Sequence, residues 1–528
     1  PATKIFHNAQ YDVGWLRAMG IEVKGEVVDT MVAAALIDEN RFSYTLNSLS
    51  KDYLGELKAE TDLVEAAKQH GVDPKGEMWK LPAEHVGFYA EQDARLTLLL
   101  WQRFKTEIYN QDLETIWALE KNLLPIIIEM REKGIRVDTD RCSTLQSTFK
   151  KQEKTVLQKI KKLVGQDIDI WAARQIGFAF DKLGIDYPRT AKTDEPSFTQ
   201  NWLNNNPNDI SKLIVQAREI NKFHNTFLNS IMKYEHKGRI HAEIRQIKND
   251  FGGTVSGRLS MSNPNLQQLP ARSKEFGPMI RGLFLPEEGC KWGSFDYSQQ
   301  EPRLVVHYAA SIGEGYAGSQ ELVEAYANAD ADFHQTVADL IGIERKQAKT
   351  IGLGIMYGMG KNKLATMLGV DVDEAHSLIS KYNTKAPFVK SLSDRCMQKA
   401  SSEGIIRTKL GRKCRFDMWE PKDFGIHQSE RFDNASAKYG ADNIKRAYTY
   451  KALNRLIQGS AADQTKQAVV DCYKEGFTPM LQIHDELCFS IKEDSEIKKI
   501  AKIMETCIDL KVPSVVDVAI GKDFGEAT

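Results

Sequence analysis

Hydrophobic and polar positions follow different periods along the chain, and these periods divide it into segments. Residues 1–110 alternate short apolar strands with helical stretches, which predicts an α/β segment. Residues 111–236 are almost wholly helical in pattern. The pattern becomes strand- and loop-like in 237–310, returns to helices in 311–450, and supplies a helix, a hairpin and terminal strands in 451–528. We therefore predict that one sheet is assembled from two separated segments.

Composition sets limits on the class of protein. A chain of 528 residues is too long for one core and predicts three or four domains. With 42% hydrophobic and 27% charged residues it is globular rather than disordered, and no apolar run reaches the ~20 residues that span a bilayer. Its seven cysteines include no CxxC pair, which favours a reducing compartment, the cytoplasm, over a disulfide framework or structural zinc site. The chain begins at Pro1 inside a strand-like run, so we expect a fragment of a longer protein.

The charge balance leaves nucleic acid open as a partner. Net charge is −1, but only the local field acts on a phosphate backbone, and acidic sites and basic grooves can coexist in one chain. Basic runs occur at 150–162 and at 407–415. Each run alone is better explained as a solvated helix or loop face.

Three acidic residues at strand ends suggest a metal site. Asp485 and Glu486 lie between two short apolar runs, the pattern of a β-hairpin with acids at its tip. Asp296 follows another strand-like run, far away in the sequence. Two strand-borne aspartates can converge on two Mg²⁺ ions, which prefer carboxylate and phosphate oxygens. The hypothesis is phosphoryl transfer.

A predicted helix between these acids carries two cations. Arg345 and Lys349 lie one helical turn apart and project together, with Leu353 following and Tyr357 further round. Such a pair suits a triphosphate, and the tyrosine could stack on a base. Taken alone, the same pattern is better explained as an ordinary amphipathic helix with basic residues at its start.

Taken together, these segments resemble motifs A, B and C of family A DNA polymerases, in the same order. Further segments resemble the primer-template segment, the short fingers motif and the minor-groove helix of that family, so the resemblance covers essentially the whole chain. The matching motif residues are Asp296, Tyr297, Ser298, Gln299, Glu301 and Arg303; Arg345, Lys349, Tyr357 and Gly358; Gln482, His484, Asp485 and Glu486; and the segments 254–260, 264–270, 332–334 and 454–463.

The resemblance implies a multidomain fold of α/β and α+β parts. By this resemblance the chain would be a right-hand polymerase with palm, fingers and thumb, preceded by a partial ribonuclease H-like 3′–5′ exonuclease domain. The implied boundaries are 1–110 for the exonuclease-like domain, 111–236 for the thumb, 237–310 and 451–528 for the palm, and 311–450 for the fingers.

The resemblance also implies a role for individual residues. Asp296 and Asp485 would bind two Mg²⁺ ions, for which Mn²⁺ can substitute, with help from the Tyr297 carbonyl; the ligand role of the adjacent Glu486 stays open. Glu301 with Tyr357 would exclude a ribose 2′-hydroxyl. The remaining implied contacts are Arg345, Lys349 and His334 with the phosphates, Leu353 and Gln299 with the nucleotide, and Arg258, Asn454, Gln458, Gln482, His484 and Arg281 with DNA.

Two departures from the family pattern lie on the same helix. Leu353 stands where the family usually has Phe or Tyr, which leaves discrimination against 3′-deoxy sugars open and is typical of some phage-type polymerases. Gly352 replaces a common Asn and should loosen the helix by roughly 0.5–1 kcal/mol relative to alanine.

The N-terminal segment resembles a second family, the DEDD-type 3′–5′ exonucleases. Segment 8–12 and the pair Tyr89 and Asp93 match its second and third motifs. By this resemblance Asp12 and Asp93 would bind metal and Tyr89 would orient the attacking water. The alternative is an exonuclease-like fold kept as scaffold. Because the first acidic motif would precede Pro1, we expect impaired proofreading in this fragment.

The sequence therefore predicts a DNA-templated DNA polymerase of the phage type. Its partners would be primer-template DNA and dNTPs; it would act as a monomer in the cytoplasm, of the host if phage-encoded, without a membrane, and a processivity factor stays open. One rival is a single-subunit RNA polymerase, which Glu301 with Tyr357 and the exonuclease-like segment disfavour. The other is an inactive DNA-binding or processivity subunit, which the intact metal acids and phosphate-binding cations disfavour.

Overall fold

The structure is a computed structural model, and the part of the chain that it describes has few gaps. No helix in that part combines the length and apolar character that a membrane crossing needs. The described residues are 2–58, 60–271, 273–311, 323–324, 326, 332–423, 425 and 427–527.

The first segment combines a two-stranded parallel sheet with helices, as its pattern predicts. Lys4–Phe6 pairs with Val27–Asp29, and the Asp29 side chain caps the next helix by accepting from the amide of Met31. Every residue of that helix is buried, which explains its unbroken apolar sequence. The helices are Ala9–Ala18, Thr30–Ile37, Leu46–Leu54, Thr61–His70 and Ala83–Asn110, with a 3₁₀ turn at Met78–Lys80.

The second segment is helical but also contributes a strand to a sheet shared with the predicted palm. Ile135–Val137 lies between Arg239–Ile240 and Phe284–Leu285. A glycine precedes this strand because a Cβ at Gly134, whose φ is +64°, would lie 2.7 Å from the His241 ring. The helices are Glu114–Lys133, Thr139–Val164, Ala173–Lys182, Gln200–Asn205, Asp209–Lys222 and Asn229–Tyr234, with a π-helical turn at Phe223–Leu228 and a short strand at Glu235–His236.

The central sheet joins two distant parts of the sequence, as predicted. Its strand order is Leu481–Ile483, Glu486–Ile491, Lys291–Tyr297, Val516–Gly521, and all neighbours are antiparallel. Apolar side chains such as Trp292 and Phe295 bury the middle of the central strand. The other elements here are the helices Phe276–Arg281, Gln300–Ser311, Ala452–Lys474 and Asp494–Thr506, the strands Glu243–Arg245 and Ser260–Ser262, and the 3₁₀ turn Leu266–Gln268.

The predicted fingers form a second apolar core with the start of helix Ala452–Lys474. Phe333, Ile351 and Phe388 are buried in it. Most of 312–331 lies outside the described residues. The helices are Phe333–Ile341, Arg345–Met356, Lys361–Leu368, Val372–Lys385, Pro387–Glu403 and Phe432–Tyr439, the strands are Ile405–Arg407, Lys413–Arg415, Met418–Pro421, Glu430–Arg431 and Ile444–Arg446, and 3₁₀ turns lie at Ala441–Asn443 and Thr449–Lys451.

A buried ionic cluster ties these segments to the long helix Ala452–Lys474. The Glu120 carboxylate accepts from Arg412 and, at 2.6 Å, from the Lys466 ammonium. Arg412 also donates to Asp463 at 2.7 Å. Removing one partner would leave a buried charge uncompensated, which typically costs about 3–5 kcal/mol. The cluster therefore fixes the frame on which the site residues are mounted.

Candidate active sites

Three acidic side chains meet at one end of the central sheet. Asp296 is the penultimate residue of its strand, Glu486 begins the neighbouring strand, and the register pairs them directly. Directly opposite residues of antiparallel strands project from the same face. Asp485 lies in the turn before Glu486, and its carbonyl accepts from the amide of Tyr297 at 3.4 Å. The sequence prediction that these acids converge therefore agrees with the geometry.

A fourth acid completes the row and was missed in the sequence. Asp517 pairs directly with Asp296 from the other neighbouring strand, Val516–Gly521. Its signal was weak: one acid within the apolar run 515–520. Like charges directly opposite one another destabilise a sheet, so a row of three strand-borne acids has a cost that suggests a ligand of opposite charge.

The electrostatics of these acids show the same lack of compensation. Partial burial, and then the charges of Asp485, Glu486 and Asp517, raise the pKa of Asp296 to about 7 although the residue keeps an exposed side. Burial also raises the pKa of Asp485 and that of Glu486. Among the described residues, no lysine or arginine forms an ion pair with Asp296, Asp485 or Glu486. A bound cation would therefore stabilise the ionised form of these carboxylates.

The donor set fits a hard divalent cation that also binds substrate. In the described part of the chain, no group of three or more His, Cys, Asp or Glu side chains is arranged to hold a metal by itself. Mg²⁺ is usually bound by one or two carboxylates, waters and substrate phosphates, which is what Asp296 and Asp485 can offer. The Tyr297 ring points away, since its buried hydroxyl donates to the Met504 carbonyl at 2.6 Å, and only its backbone is available.

Next to the acids, Glu301 closes one side of the site. Its carboxylate accepts from Arg258 at 2.5 Å and from the Tyr357 hydroxyl at 3.4 Å. Burial raises the pKa of Glu301, and the charge of Arg258 opposes that shift. The preceding Gln299 has a φ of +52° and accepts from the amide of Phe333 at 3.0 Å, which ties this corner to the fingers.

The three predicted phosphate contacts lie on two packed fingers helices. Arg345 begins its helix and forms an ion pair with Asp332 at 2.7 Å. Lys349 lies one turn later and is exposed. Burial, and then the Lys349 charge, lower the pKa of His334 to about 4, so this imidazole is neutral near pH 7. The structure brings all three together.

Further along the helix Arg345–Met356, Gly352 has a packing role. A Cβ there would lie 2.9 Å from the Tyr382 hydroxyl, so glycine permits the close approach of a neighbouring helix. Leu353 is half-buried and packs against the same fingers core. The glycine expected to loosen the helix therefore also allows the helix to pack closely against Tyr382.

The predicted minor-groove residues lie on the helix Ala452–Lys474 and on the acidic hairpin. Asn454 and Gln458 are half-buried, one turn apart. Gln482 is buried; its side-chain oxygen accepts from Gln267 at 2.9 Å and its amide nitrogen donates to the His484 carbonyl. His484 itself is exposed in the turn with a φ of +55°. Gln267 belongs to the segment 264–270 that matched the primer-template motif, but no individual role was predicted for it.

Arg281 has surroundings unlike those of the other predicted DNA contacts. It is 8% exposed, and its guanidinium lies 4.6 Å from the Phe524 ring centre. Its charge lowers the pKa of Glu486, opposing the effect of burial. Arg281 is thus buried against Phe524 and close enough to Glu486 to affect its charge.

A second cluster of acids lines a cavity of about 760 Å³ in the N-terminal segment. Asp12, Tyr89 and Asp93, the residues that the exonuclease resemblance indicated, all line it. Here a cation is built in: the Lys58 ammonium lies 2.7 Å from Asp93 Oδ2 and donates to the Tyr89 hydroxyl at 2.7 Å. Asp93 Oδ1 is buried and has no hydrogen-bond partner in the described part of the chain. An orphaned carboxylate oxygen fits a further cation.

Asp12 lines this cavity and Asp29 does not, although their charges interact. Burial, and then the charge of Asp29, raise the pKa of Asp12. Asp29 itself accepts from the amides of Asn8, Ala9 and Met31 at 2.8–3.0 Å, which leaves it a structural role. Asp12 is therefore the freer carboxylate.

Comparison with known proteins decides the family. A family model described as DNA polymerase family A matches residues 139–526. The chain belongs to DNA polymerase family A. A second model, described as 3′–5′ exonuclease, matches residues 1–109. The two matches cover the same segments that the motifs indicated.

Relatives of this family A chain include phage and bacterial enzymes. The DNA-directed DNA polymerase of Pseudomonas phage M6 is 36% identical, over 98% of this chain and 82% of its own length. DNA polymerase DpoZ of Acinetobacter phage SH-Ab 15497 is 29% identical, over 97% of this chain and 86% of its length. Among solved structures, the POL domain of Pol1 from M. smegmatis, in complex with DNA primer-template and dNTP, has a TM-score of 0.78 at 25% identity and covers 99% of this chain and 86% of its own.

These findings confirm the fold class and the enzyme class. The chain is a family A DNA-directed DNA polymerase with the right-hand fold and a 3′–5′ exonuclease domain, and it has phage relatives. The domain boundaries and the role of each site residue stay predictions.

Proposed function

We propose that this polymerase extends a primer 3′-hydroxyl with dNTPs on a DNA template by two-metal phosphoryl transfer, with release of pyrophosphate. The observation that carries the proposal is the direct pairing of Asp296 with Glu486, beside Asp485, with no cation paired to any of them among the described residues. Template-directed synthesis is the activity of the family to which the chain belongs.

The acids serve the reacting end of the primer. Two Mg²⁺ ions, or Mn²⁺, would make the primer hydroxyl a better nucleophile and stabilise the charge that develops on the leaving group. Asp296 and Asp485 would hold them, with the Tyr297 carbonyl as a further oxygen. Glu486, which faces Arg281, would adjust the charge of the pair.

The fingers helices serve the triphosphate. Lys349 is exposed and carries a point charge, whereas Arg345 offers a planar fork that would exchange Asp332 for phosphate oxygens. His334 is neutral and can form a hydrogen bond without adding charge. Together these groups would offset the charge that builds up on the leaving pyrophosphate.

The sugar and the base pair are checked by shape. Glu301, fixed between Arg258 and Tyr357, would occupy the space that a ribose 2′-hydroxyl needs. Leu353, with Gln299 nearby, would pack near the incoming nucleotide. Donors on the palm would contact minor-groove acceptors, which are nearly alike for all correct pairs. These donors are Arg258, Asn454, Gln458, Gln482 and His484.

Primer extension tests this function directly. A labelled primer on a DNA template should be extended with dNTPs and Mg²⁺ and far less with rNTPs. We also propose that the protein acts as a monomer in the cytoplasm. Preferential use of rNTPs would indicate the RNA polymerase alternative. Template binding without extension would indicate the inactive-subunit alternative.

A 3′–5′ exonuclease activity is the second candidate function, because a 3′–5′ exonuclease family model matches residues 1–109. Asp12 and Asp93 would hold metal and Tyr89 would orient the attacking water. Degradation of a labelled single strand, lost in Asp93→Asn, tests it; no degradation by the unaltered chain would agree with the scaffold alternative.

A further inference from the structure

The exonuclease cavity is not built from the exonuclease segment alone. Two of its lining residues, Asp250 and Phe251, come from the turn that follows the strand Glu243–Arg245 in the predicted palm. The same lining includes Asp12 and Asp93 of the exonuclease segment. The polymerase half of the chain thus supplies part of this pocket.

Hydrogen bonds hold the turn in a defined position. Asn249 and Gly252 exchange backbone hydrogen bonds of 2.7 and 3.2 Å. The Asp250 carboxylate accepts from the amide of Tyr44 at 2.8 Å. Tyr44 belongs to the loop 38–45, the exonuclease loop, and Lys248 donates to the Glu39 and Arg41 carbonyls of this loop at 3.2 and 2.9 Å. The ring that follows Asp250 is therefore presented from a fixed support.

That ring is exposed although it lines the cavity. Phe251 is 69% exposed. A single exposed phenylalanine is ordinary on a protein surface, but this one belongs to a cavity whose charged side chains are Asp12, Asp93, Asp250 and Lys58. The acids disfavour a phosphate that arrives without cations, so a neutral aromatic face suits a base better. Of the other aromatic residues in the lining, Phe6 is half-buried and the Lys58 ammonium lies over the Tyr89 ring.

We propose that Phe251 is the stacking face for the terminal base of a single DNA strand that enters the exonuclease pocket. Stacking of a base on an aromatic ring is tolerant of sequence, as a site for any primer end requires, and contributes about 1–3 kcal/mol per base. The proposal rests on the exonuclease pocket as a site for a DNA end. It does not depend on cleavage by this chain.

A short stretch of chain connects Phe251 in the exonuclease pocket to the polymerase site. The chain runs from Phe251 to Arg258, the partner of Glu301, within the same connecting segment. Gly252 and Gly253, with φ of +127° and +96°, shape this connection. The segment that would hold a strand end at Phe251 therefore also carries Arg258, a predicted primer-template contact.

Binding of a single strand that ends in 2-aminopurine tests the proposal, with the last linkage a phosphorothioate to suppress cleavage, in Mg²⁺ and again in EDTA. Phe251→Ala should weaken binding roughly tenfold and reduce the quenching of the terminal 2-aminopurine. Phe251→Trp should restore both. Phe42→Ala is the matched control, since Phe42 lies on the adjoining loop, is fully exposed and does not line the cavity.

The outcomes separate this proposal from the polymerase function. Primer extension by Phe251→Ala should match that of the unaltered chain. Equal single-strand affinity and quenching in Phe251→Ala and Phe42→Ala would overturn the proposal. Unchanged single-strand binding with impaired extension would overturn it too, and would assign the turn to the polymerase site instead.

Discussion

The palm and the exonuclease pocket each gather acids, but they differ in how those acids are compensated. In the palm, Asp296, Asp485 and Glu486 form no ion pair with any described lysine or arginine, and the pKa of Asp296 rises to about 7. In the exonuclease pocket, Lys58 lies within 2.7 Å of Asp93. The palm acids therefore depend on bound cations to balance their negative charge, whereas the exonuclease pocket contains the Lys58 ammonium.

This difference is informative because uncompensated charge has a cost that folding alone does not explain. A protein that keeps several carboxylates together without a partner has a less stable metal-free state, and a ligand recovers that stability. A carboxylate with an internal ammonium has less need of the ligand. We therefore expect the palm to bind divalent cations more tightly than the exonuclease pocket does.

The largest effect should follow removal of one palm acid. Asp296→Asn keeps the size of the side chain but removes its charge, and should lower the primer-extension rate by at least roughly 10³-fold, the scale for loss of one member of a catalytic unit. Asp517→Asn is the comparison variant, since it removes one charge from the same ladder at a residue to which we assign no metal-ligand role. It should lower the rate by less than about threefold. Equal effects of the two changes would contradict the assignment.

A smaller effect should follow at Glu301, a carboxylate beside these acids that does have an internal cation. Glu301 is paired with Arg258 and contacts Tyr357, so we expect it to select the sugar rather than to bind metal. Glu301→Ala should lower the preference for dNTPs over rNTPs on the order of 10²-fold. The measurement is kcat/KM for each nucleotide in single-nucleotide insertion. Unchanged sugar preference with a lost Mg²⁺ requirement would contradict this role.

The exonuclease pocket should respond to removal of its internal cation. Lys58→Met frees Asp93 from a charge-assisted contact, and should raise the Mn²⁺ affinity of the pocket roughly tenfold. Binding would be followed by electron paramagnetic resonance in a chain that also carries Asp296→Asn and Asp485→Asn, so that the palm does not contribute. Lys51→Met, at an exposed position on a nearby helix, is the control. Weaker binding in Lys58→Met would show that Lys58 supports the metal site.

Much of the palm could be predicted from sequence because its signals are local. Asp296, Asp485 and Glu486 each adjoin a short apolar run, and their order along the chain carried the family resemblance. The same holds for Arg345 and Lys349, whose spacing on a helix is a local property. The fold class followed from the family resemblance that these motifs carry, and the change of hydrophobic period divided the chain into segments.

Contacts between distant segments could not be predicted in this way. Lys58 is one lysine among many, and only the packing of its loop against the helix Ala83–Asn110 brings it to Asp93. Asp517 depends on the register of the last strand, and Phe251 depends on a turn that reaches across to the exonuclease loop. The role of Gly352 depends on the position of Tyr382. Each of these is set by tertiary packing, on which local sequence carries little information.

The smallest predicted effect concerns the pH dependence of stability in the metal-free protein. Partial burial and the neighbouring acids raise the pKa of Asp296 from 3.8 to about 7, so between these values the folded state binds more protons than the unfolded state. Its contribution to stability therefore falls as pH rises through that window. In EDTA, the Tm of the unaltered chain relative to Asp296→Asn should decrease between pH 4 and 7, by no more than about 2 °C because the residue is partly open to solvent. Mg²⁺ should reverse the decrease at pH 7 and above, because a cation stabilises the ionised form. A difference in Tm that rises with pH in EDTA would mean that a partner cation, as in the exonuclease pocket, compensates the palm after all.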